Sequence, residues 1–103
     1  MLAHAVYFTL RDPSAQNIQA AVASARKLLS GHEGMTYFAA GQRGTEFARP
    51  VNDLDFHVAL FTVFQDKAAH DRYQIHPRHL AFVKDNHERW QSVRVFDAYV
   101  ADA

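Results

Sequence analysis

The amino-acid sequence predicts an α+β domain with a four-stranded antiparallel sheet, and three observations lead to that prediction. Four apolar stretches have the length and composition of β-strands. Helical periodicity occurs once between the first and second strands and once, interrupted by a proline, between the third and fourth. A chain of 103 residues is long enough for one such core. We therefore predict a single domain over residues 1–103.

The first half of the chain predicts a strand, a helix and a second strand. The first strand is predicted from Leu2 to Leu10. Asp12 is predicted to cap the following helix, with Pro13 at its first position and Gly31 as its stop signal. The second strand is predicted from Met35 to Arg43. The inner face of the helix is rich in alanine, which allows a close approach to a sheet: Ile18, Ala21, Val22, Ala25, Leu28 and Leu29.

The second half repeats this pattern after a loop that contains glycine, proline and mixed charges. The third strand, predicted from Leu54 to Phe64, is the most apolar segment of the chain. Asp66 is predicted to cap a helix that runs from Lys67 to about Ile75. A further helix is predicted to start at Pro77, because proline suits the first turn of a helix and is disfavoured in its interior. The last strand is predicted from Ser92 to Val100.

This β-α-β-β-α-β order is the split βαβ, ferredoxin-like arrangement. Right-handed crossovers place both helical segments on one face of the sheet. A sheet covered on one side should alternate apolar and polar residues, yet both rows of the first and third strands are apolar. No remaining segment can cover the second face, and monomers rarely expose an apolar patch of that size. We therefore predict a homodimer in which two identical sheets face each other across a two-fold axis.

Composition excludes several classes of partner and site. Eleven basic and eleven acidic residues give a formal net charge of zero, and neither sign forms a run. This balance argues against binding to nucleic acid or to an acidic membrane surface. The absence of cysteine excludes disulfides, iron–sulfur clusters and a thiol nucleophile. No stretch approaches the roughly 18 apolar residues of a membrane span, and the first strand lacks signal-peptide features, so we expect a cytoplasmic protein.

Seven histidines are many for a chain of this length. We predict that His32, His70 and His87 face solvent, in a loop or on helix surfaces. His4 and His57 instead occupy strand rows that are otherwise apolar. His76 and His79 flank the helix start at the proline, and His79 lies on one helical stripe with four further residues. That stripe is predicted to face the core, and its other members are Phe82, Val83, Asn86 and Trp90.

His4, His57 and His79 come from two strands and the helix that packs on them, and imidazoles that converge on one cavity in this way are compatible with two kinds of chemistry. Neutral imidazole binds zinc, copper, iron or nickel, but the sequence has no H-x-H, H-E-x-x-H or i, i+4 histidine pair, so we expect no metal. The other kind is acid–base chemistry by Tyr73 and His79, because at neutral pH an imidazole accepts a proton and a phenol donates a hydrogen bond. A serine nucleophile, a glycine-rich phosphate loop and a glycosidase carboxylate pair are all absent from the sequence.

The string from Tyr73 to His79 resembles that of the stress-responsive A/B barrel (Dabb) family. The resemblance runs from Leu2 to about Val100 and implies a dimer in which two ferredoxin-like sheets form an α+β barrel. It rests on that Tyr-x-x-His-Pro-x-His string and on supporting positions elsewhere in the chain: His4, Gly34, Phe56-His57-Val58, Phe82 and Phe96-Asp97.

Within the family, the chain is similar to the plant olivetolic acid cyclase, which closes a linear polyketide thioester into an aromatic acid without a cofactor. This similarity implies that Tyr73 and His79 form the acid–base pair. It also implies that His4, His57 and Trp90 bind the substrate. A pocket of different shape is implied as well, because small residues stand where the plant enzyme has bulky aromatics, at Ala21, Val22 and Ala25.

The sequence therefore leads to two classes of function. The first is a small cofactor-free, polyketide cyclase-like enzyme acting on a β-dicarbonyl-type compound. In it, His79 removes a proton next to a carbonyl while Tyr73 hydrogen-bonds the developing enolate oxygen. The second is a non-catalytic barrel that binds a small apolar ligand or acts in stress tolerance. A cofactor-independent monooxygenase, which other dimeric α+β barrels resemble, is a further alternative.

Overall fold

A computed structural model describes residues 1–102, in which the helices pack on one face of a four-stranded antiparallel sheet. The strands are β1 (Leu2–Leu10), β2 (Met35–Gln42), β3 (Val58–Phe64) and β4 (Trp90–Tyr99), in the spatial order β2-β3-β1-β4. The helices are α1 (Ala15–Leu29), α2 (Lys67–Ile75) and α3 (Pro77–Asn86), followed by a 3₁₀ turn at His87–Arg89. This is the ferredoxin-like α+β fold predicted from the sequence.

The core lies between the helices and one face of the sheet. Side chains at even positions of β1 and β3 point to this face, because successive strand residues alternate between faces. Burial of each large apolar side chain contributes roughly 1.5–3 kcal/mol. The core residues of the sheet are Val6, Phe8, Leu10, Val58, Leu60 and Phe64, and those of the helices are Ala25, Leu29, Ala69, Tyr73 and Phe82.

The opposite face of the sheet carries an aromatic cluster that no described residue covers fully. The ring of Tyr7 lies 5.0 Å from that of Phe56, 5.9 Å from that of Phe61 and 5.7 Å from that of Phe96. Phe61 and Phe96 are 43% and 54% exposed. We call the surface formed by Tyr7, Phe56, Phe61 and Phe96 the open sheet face. Its apolar character is what the double apolar rows of the first and third strands predicted.

Helix α1 begins two residues later than predicted. Ser14 is its N-cap, and the Ser14 Oγ accepts a hydrogen bond from the Asn17 N–H at 3.1 Å. The carbonyl of Asp12 instead accepts from the Asn17 side-chain amide at 2.9 Å. The prediction of Asp12 as the cap and Pro13 as the first helical residue was wrong, because serine is as good a cap as aspartate. Gly31 follows the helix with a φ of 71°, the left-handed conformation expected at a helix stop.

Strand β3 is shorter than predicted, because the backbone of residues 54–56 is bonded by side chains before the strand begins at Val58. Arg43 Nη1 donates to the carbonyls of Leu54 and Phe56, and the Asp55 N–H donates to Asp53 Oδ1 at 2.8 Å. Strand β4 starts at Trp90, two residues earlier than predicted. None of the helices within residues 1–102 is long and apolar enough to span a membrane.

The predicted break between the second and third helices is present at His76. The backbone of His76 is extended, with φ −66° and ψ 140°, as is favoured for a residue that precedes proline. Its N–H donates to the Tyr73 carbonyl at 3.1 Å and ends α2. Its Nδ1 accepts from the Arg78 N–H at 3.1 Å and caps α3. One residue thus closes one helix and opens the next.

Candidate functional site

A cavity of about 420 Å³ lies between the sheet and the helices. The β1–β4 register sets the order of its lining residues along the two strands: His4 pairs with Asp97, Val6 with Val95 and Phe8 with Val93. The cavity is therefore polar at one end of this strand pair and apolar at the other. Its polar lining comprises His4, His70, Tyr73, Gln74, His79 and Asp97. Its apolar lining comprises Val6, Phe8, Leu29, Leu60, Phe82, Val83, Trp90, Val93 and Val95.

Tyr73 and His79 meet across the helix break. Their ring centroids are 4.7 Å apart in an edge-to-face arrangement. The Tyr73 ring is buried between Phe64, at 5.0 Å, and His32, at 4.9 Å. Burial raises the pKa of Tyr73, so the phenol stays protonated at neutral pH.

The His79 imidazole is neutral in this environment. Burial, reinforced by repulsion from the nearby imidazoles of His4, His32 and His70, lowers the pKa of His79 to about 4. Its Nδ1 is buried and has no hydrogen-bond partner among residues 1–102. The cavity therefore combines a neutral imidazole, which can accept a proton, with a phenol that can donate a hydrogen bond.

His4 forms a short hydrogen bond with Asp97. His4 Nδ1 and Asp97 Oδ1 are 2.5 Å apart, and the two residues are paired across β1 and β4. Burial lowers the pKa of His4, and this effect outweighs the opposite effect of the Asp97 carboxylate. A carboxylate accepts hydrogen bonds, so we assign the proton of the neutral ring to Nδ1 and leave Nε2 as an acceptor.

His70 belongs to the site although we predicted it to face solvent. Its side chain is 15% exposed, and its ring centroid is 4.9 Å from that of His4. His70 Nδ1 lies 3.1 Å from Asp71 Oδ1, and its Nε2 lies 3.3 Å from Gln74 Nε2. The signal was present in the sequence, because His70 precedes Tyr73 by three residues and shares its helix face.

His32 is also buried, against the prediction of a solvent-facing loop residue. Its Nε2 lies 2.9 Å from the Leu28 carbonyl, and its ring packs against Tyr73 and His76. His32 therefore supports the ring of Tyr73 from outside the cavity.

The structure does not bring His57 to the cavity. His57 lies one residue before β3, and its Nδ1 accepts a hydrogen bond from the Leu10 N–H at 3.0 Å. In the β1–β3 register, Val58 pairs with Phe8 whereas His4 pairs with Thr62. These pairs are four residues apart, or about 13 Å along a strand. Trp90 does line the cavity, at the apolar end beside Phe8.

Acidification from about pH 6.5 to 4 should destabilise the fold through His79. The unfolded imidazole titrates near pH 6.5, whereas the folded one stays neutral down to about pH 4. The unfolded chain then binds more protons, so this stabilisation is complete above pH ~6.5 and is lost as the pH falls. The contribution per proton is at most about 1.4 kcal/mol per pH unit.

Urea unfolding between pH 7 and 4.5 measures this dependence. His79→Gln should make the free energy of unfolding less dependent on pH. His32 and His4, whose pKa values are also lowered, should account for the remaining pH dependence. Equal slopes in the wild type and His79→Gln would contradict the assignment.

The family model described as the stress responsive A/B barrel domain matches residues 2–100. No curated protein matches the chain. A Dabb family protein with a ferredoxin-like fold from Mesorhizobium loti is 29% identical and has a TM-score of 0.79, covering 98% of this chain and 97% of that one.

Two further solved structures share the fold. A hydroxynitrile lyase from Passiflora edulis is 18% identical, with a TM-score of 0.77 and coverage of 99% of this chain and 94% of that one. A dimeric ferredoxin-like protein of unknown function from Thermobifida fusca is 14% identical, with a TM-score of 0.80 and coverage of 96% and 90%.

Proposed function

Because the chain belongs to the stress-responsive A/B barrel family, we propose that its cavity is a small-molecule site for acid–base chemistry next to a carbonyl group. The observation that carries this proposal is the pairing of Tyr73 with His79 at the polar end of the cavity, 4.7 Å apart between ring centroids. The reaction is of the polyketide cyclase type, in which an enolate forms and attacks a second carbonyl of the same molecule.

In the proposed step, His79 accepts a proton from the carbon next to a carbonyl. The electron pair of the broken C–H bond moves to the carbonyl oxygen, and the Tyr73 hydroxyl hydrogen-bonds the resulting enolate. A pKa of about 4 makes His79 a weak base, so the enolate needs stabilisation from Tyr73. A typical oxyanion donor supplies on the order of 2.7–4 kcal/mol. These two side chains perform the step without a cofactor.

The remaining lining supports a substrate with a polar head and an apolar tail. Phe8, Phe82 and Trp90 form an aromatic group at the apolar end, with ring centroids 5.1–6.0 Å apart. At the polar end, His4 has an acceptor nitrogen available beside its hydrogen bond to Asp97. A carbonyl group near His79 and an alkyl chain against Trp90 would fill a cavity of about 420 Å³, a volume in the usual range for small-molecule sites.

We further propose that the protein is a homodimer joined through the open sheet face. An aromatic cluster of this kind is costly to leave in water, and a second copy offers the complementary apolar surface. The Thermobifida fusca protein, which has this fold, is described as dimeric. Two sheets packed in this way would form the barrel for which the family is named.

Deuterium exchange in D₂O tests the proposed reaction. Alkyl ketones and β-keto thioesters with tails of increasing length serve as substrates. Proton NMR follows the loss of the signal from the protons on the carbon next to the carbonyl. We expect exchange faster than in buffer, saturable in substrate and favoured by longer tails. Saturable binding without faster exchange for any compound would contradict catalysis and support the alternative, a non-catalytic ligand-binding barrel.

A cyanohydrin belongs in the same substrate panel, because the Passiflora edulis neighbour is a hydroxynitrile lyase. Cyanohydrin cleavage also needs a proton acceptor, which takes the hydroxyl proton as the carbon–cyanide bond breaks. Release of cyanide from the cyanohydrin, with no exchange of the ketones, would assign the base of this cavity to that reaction instead.

A further inference from the structure

We propose that His4, His70 and Asp97 bind one divalent transition-metal ion at the polar end of the cavity. The three residues come from β1, α2 and β4, and each offers one ligand atom. All of these atoms lie within 4.8 Å of one another. The inference is independent of the proposed acid–base function, because neither Tyr73 nor His79 is a ligand.

The donor atoms, which lie within 4.8 Å of one another, would have to move to reach the spacing that a single ion needs. Bonds of about 2.0–2.1 Å in a tetrahedral site place ligand atoms roughly 3.3 Å apart. The His4 Nδ1 and Asp97 Oδ1 atoms, 2.5 Å apart, would have to separate by about 0.8 Å to reach that spacing. The proton assigned to His4 Nδ1 would leave it, by release to solvent or by transfer to Nε2, because a ligating nitrogen is deprotonated. The Asp97 side chain is 46% exposed on an edge strand, so its carboxylate has room to rotate.

His70 has the outer partner that ligating histidines usually have. Such residues commonly donate their second ring N–H to a carboxylate, which fixes the orientation of the ring. His70 Nδ1 lies 3.1 Å from Asp71 Oδ1, which leaves Nε2 for an ion. This Nε2 lies 3.3 Å from the Gln74 amide nitrogen, which would move aside.

The choice of residues indicates the class of metal. Two imidazole nitrogens and one carboxylate favour zinc, iron(II), cobalt or nickel over magnesium and calcium, which prefer oxygen ligands. Three protein ligands leave a further position for water or for an oxygen atom of a cavity ligand. The sequence predicted no metal because its histidines lack a local ligand motif; here the three donors are brought together by the fold.

Metal titration of the full chain tests the proposal. After dialysis against a chelator, zinc is titrated by calorimetry and cobalt(II) by its visible absorption. We expect one ion of either metal per chain and no saturable binding of magnesium. His70→Gln and Asp97→Asn should each weaken zinc binding at least about tenfold, the lower end of the effect measured for outer partners of a metal site.

Two matched variants sharpen this test. Asp71→Asn should weaken binding and keep the stoichiometry, whereas His87→Gln, on the exposed turn after α3, should bind as the wild type does. Circular dichroism of every variant verifies that it is folded. Absence of saturable zinc binding by the wild type, or unchanged affinity in folded His70→Gln, would overturn the proposal. Deuterium exchange by the metal-free protein tests the acid–base function separately.

Discussion

Replacing His79 with glutamine should lower the rate of protein-dependent proton exchange by roughly a hundred- to ten-thousandfold, the usual contribution of general acid–base catalysis. Glutamine keeps much of the volume and polarity of the imidazole but cannot accept the proton. Substrate binding, followed by NMR line broadening, should change little. His87→Gln is the matched control, because it removes an imidazole that does not line the cavity.

Tyr73→Phe tests the other half of the pair and should lower exchange by about a hundred- to a thousandfold, as the loss of one oxyanion donor does. The Tyr73 ring is buried and packs against Phe64, so phenylalanine should preserve the fold. Tyr37→Phe, at an exposed position of β2, should leave the rate unchanged.

A purely structural role for the pair predicts a different pattern. In that case both variants would shift the melting temperature, because the two rings pack against each other, and exchange would be unaffected. Melting temperature measured beside the exchange rate therefore separates the two roles, and full activity in either variant would remove that residue from the proposed mechanism.

Phe61→Asp should convert the proposed dimer into a monomer. Phe61 lies on the open sheet face beside Tyr7, so in the dimer a carboxylate at this position would be buried without a partner. Sedimentation velocity at micromolar concentration measures the change. Leu80→Asp is the control, because Leu80 is exposed on α3, on the other side of the molecule, and should leave the dimer intact.

A substitution at Val58, on the same strand as Phe61, distinguishes loss of the dimer from loss of the fold. Val58 is buried against the helices, so Val58→Asp should unfold the chain and not only dissociate it. Folded Phe61→Asp with the mass of the wild type, or a monomeric wild type, would count against the dimer.

The fold was predictable because it is encoded in local patterns. Apolar runs separated strands from helices, and Pro77 located the helix break to the residue. Asp66 caps α2 as predicted, accepting from the Ala69 N–H at 2.9 Å. The errors arose where two signals of equal strength competed, as at Ser14 and Asp12, or where side chains displaced a strand, as Arg43 does before Val58.

The candidate site was less predictable because it depends on register. His4 and His57 occupy similar apolar rows in the sequence, yet the β1–β3 pairing places them several residues apart along the sheet. A shift of one residue exchanges the faces of a strand, and sequence patterns do not fix that shift. The contact of His4 with His70 and Asp97 likewise depends on where α2 crosses the sheet, a property of the whole fold.

The double role of His76 has a consequence for how this cavity could acquire new ligands. The two hydrogen bonds of His76 lie within the segment from Tyr73 to His79 and set the spacing between these two side chains. The apolar wall of the cavity is formed mostly by β1 and β4. The residues to which the proposed function assigns reactivity and those that would set ligand selectivity therefore lie in different parts of the chain. A library that randomises Val6, Val93 and Val95 would vary the shape of the wall and leave the spacing of Tyr73 and His79 unchanged. Selection for a longer or wider ligand could then proceed without rebuilding the chemistry.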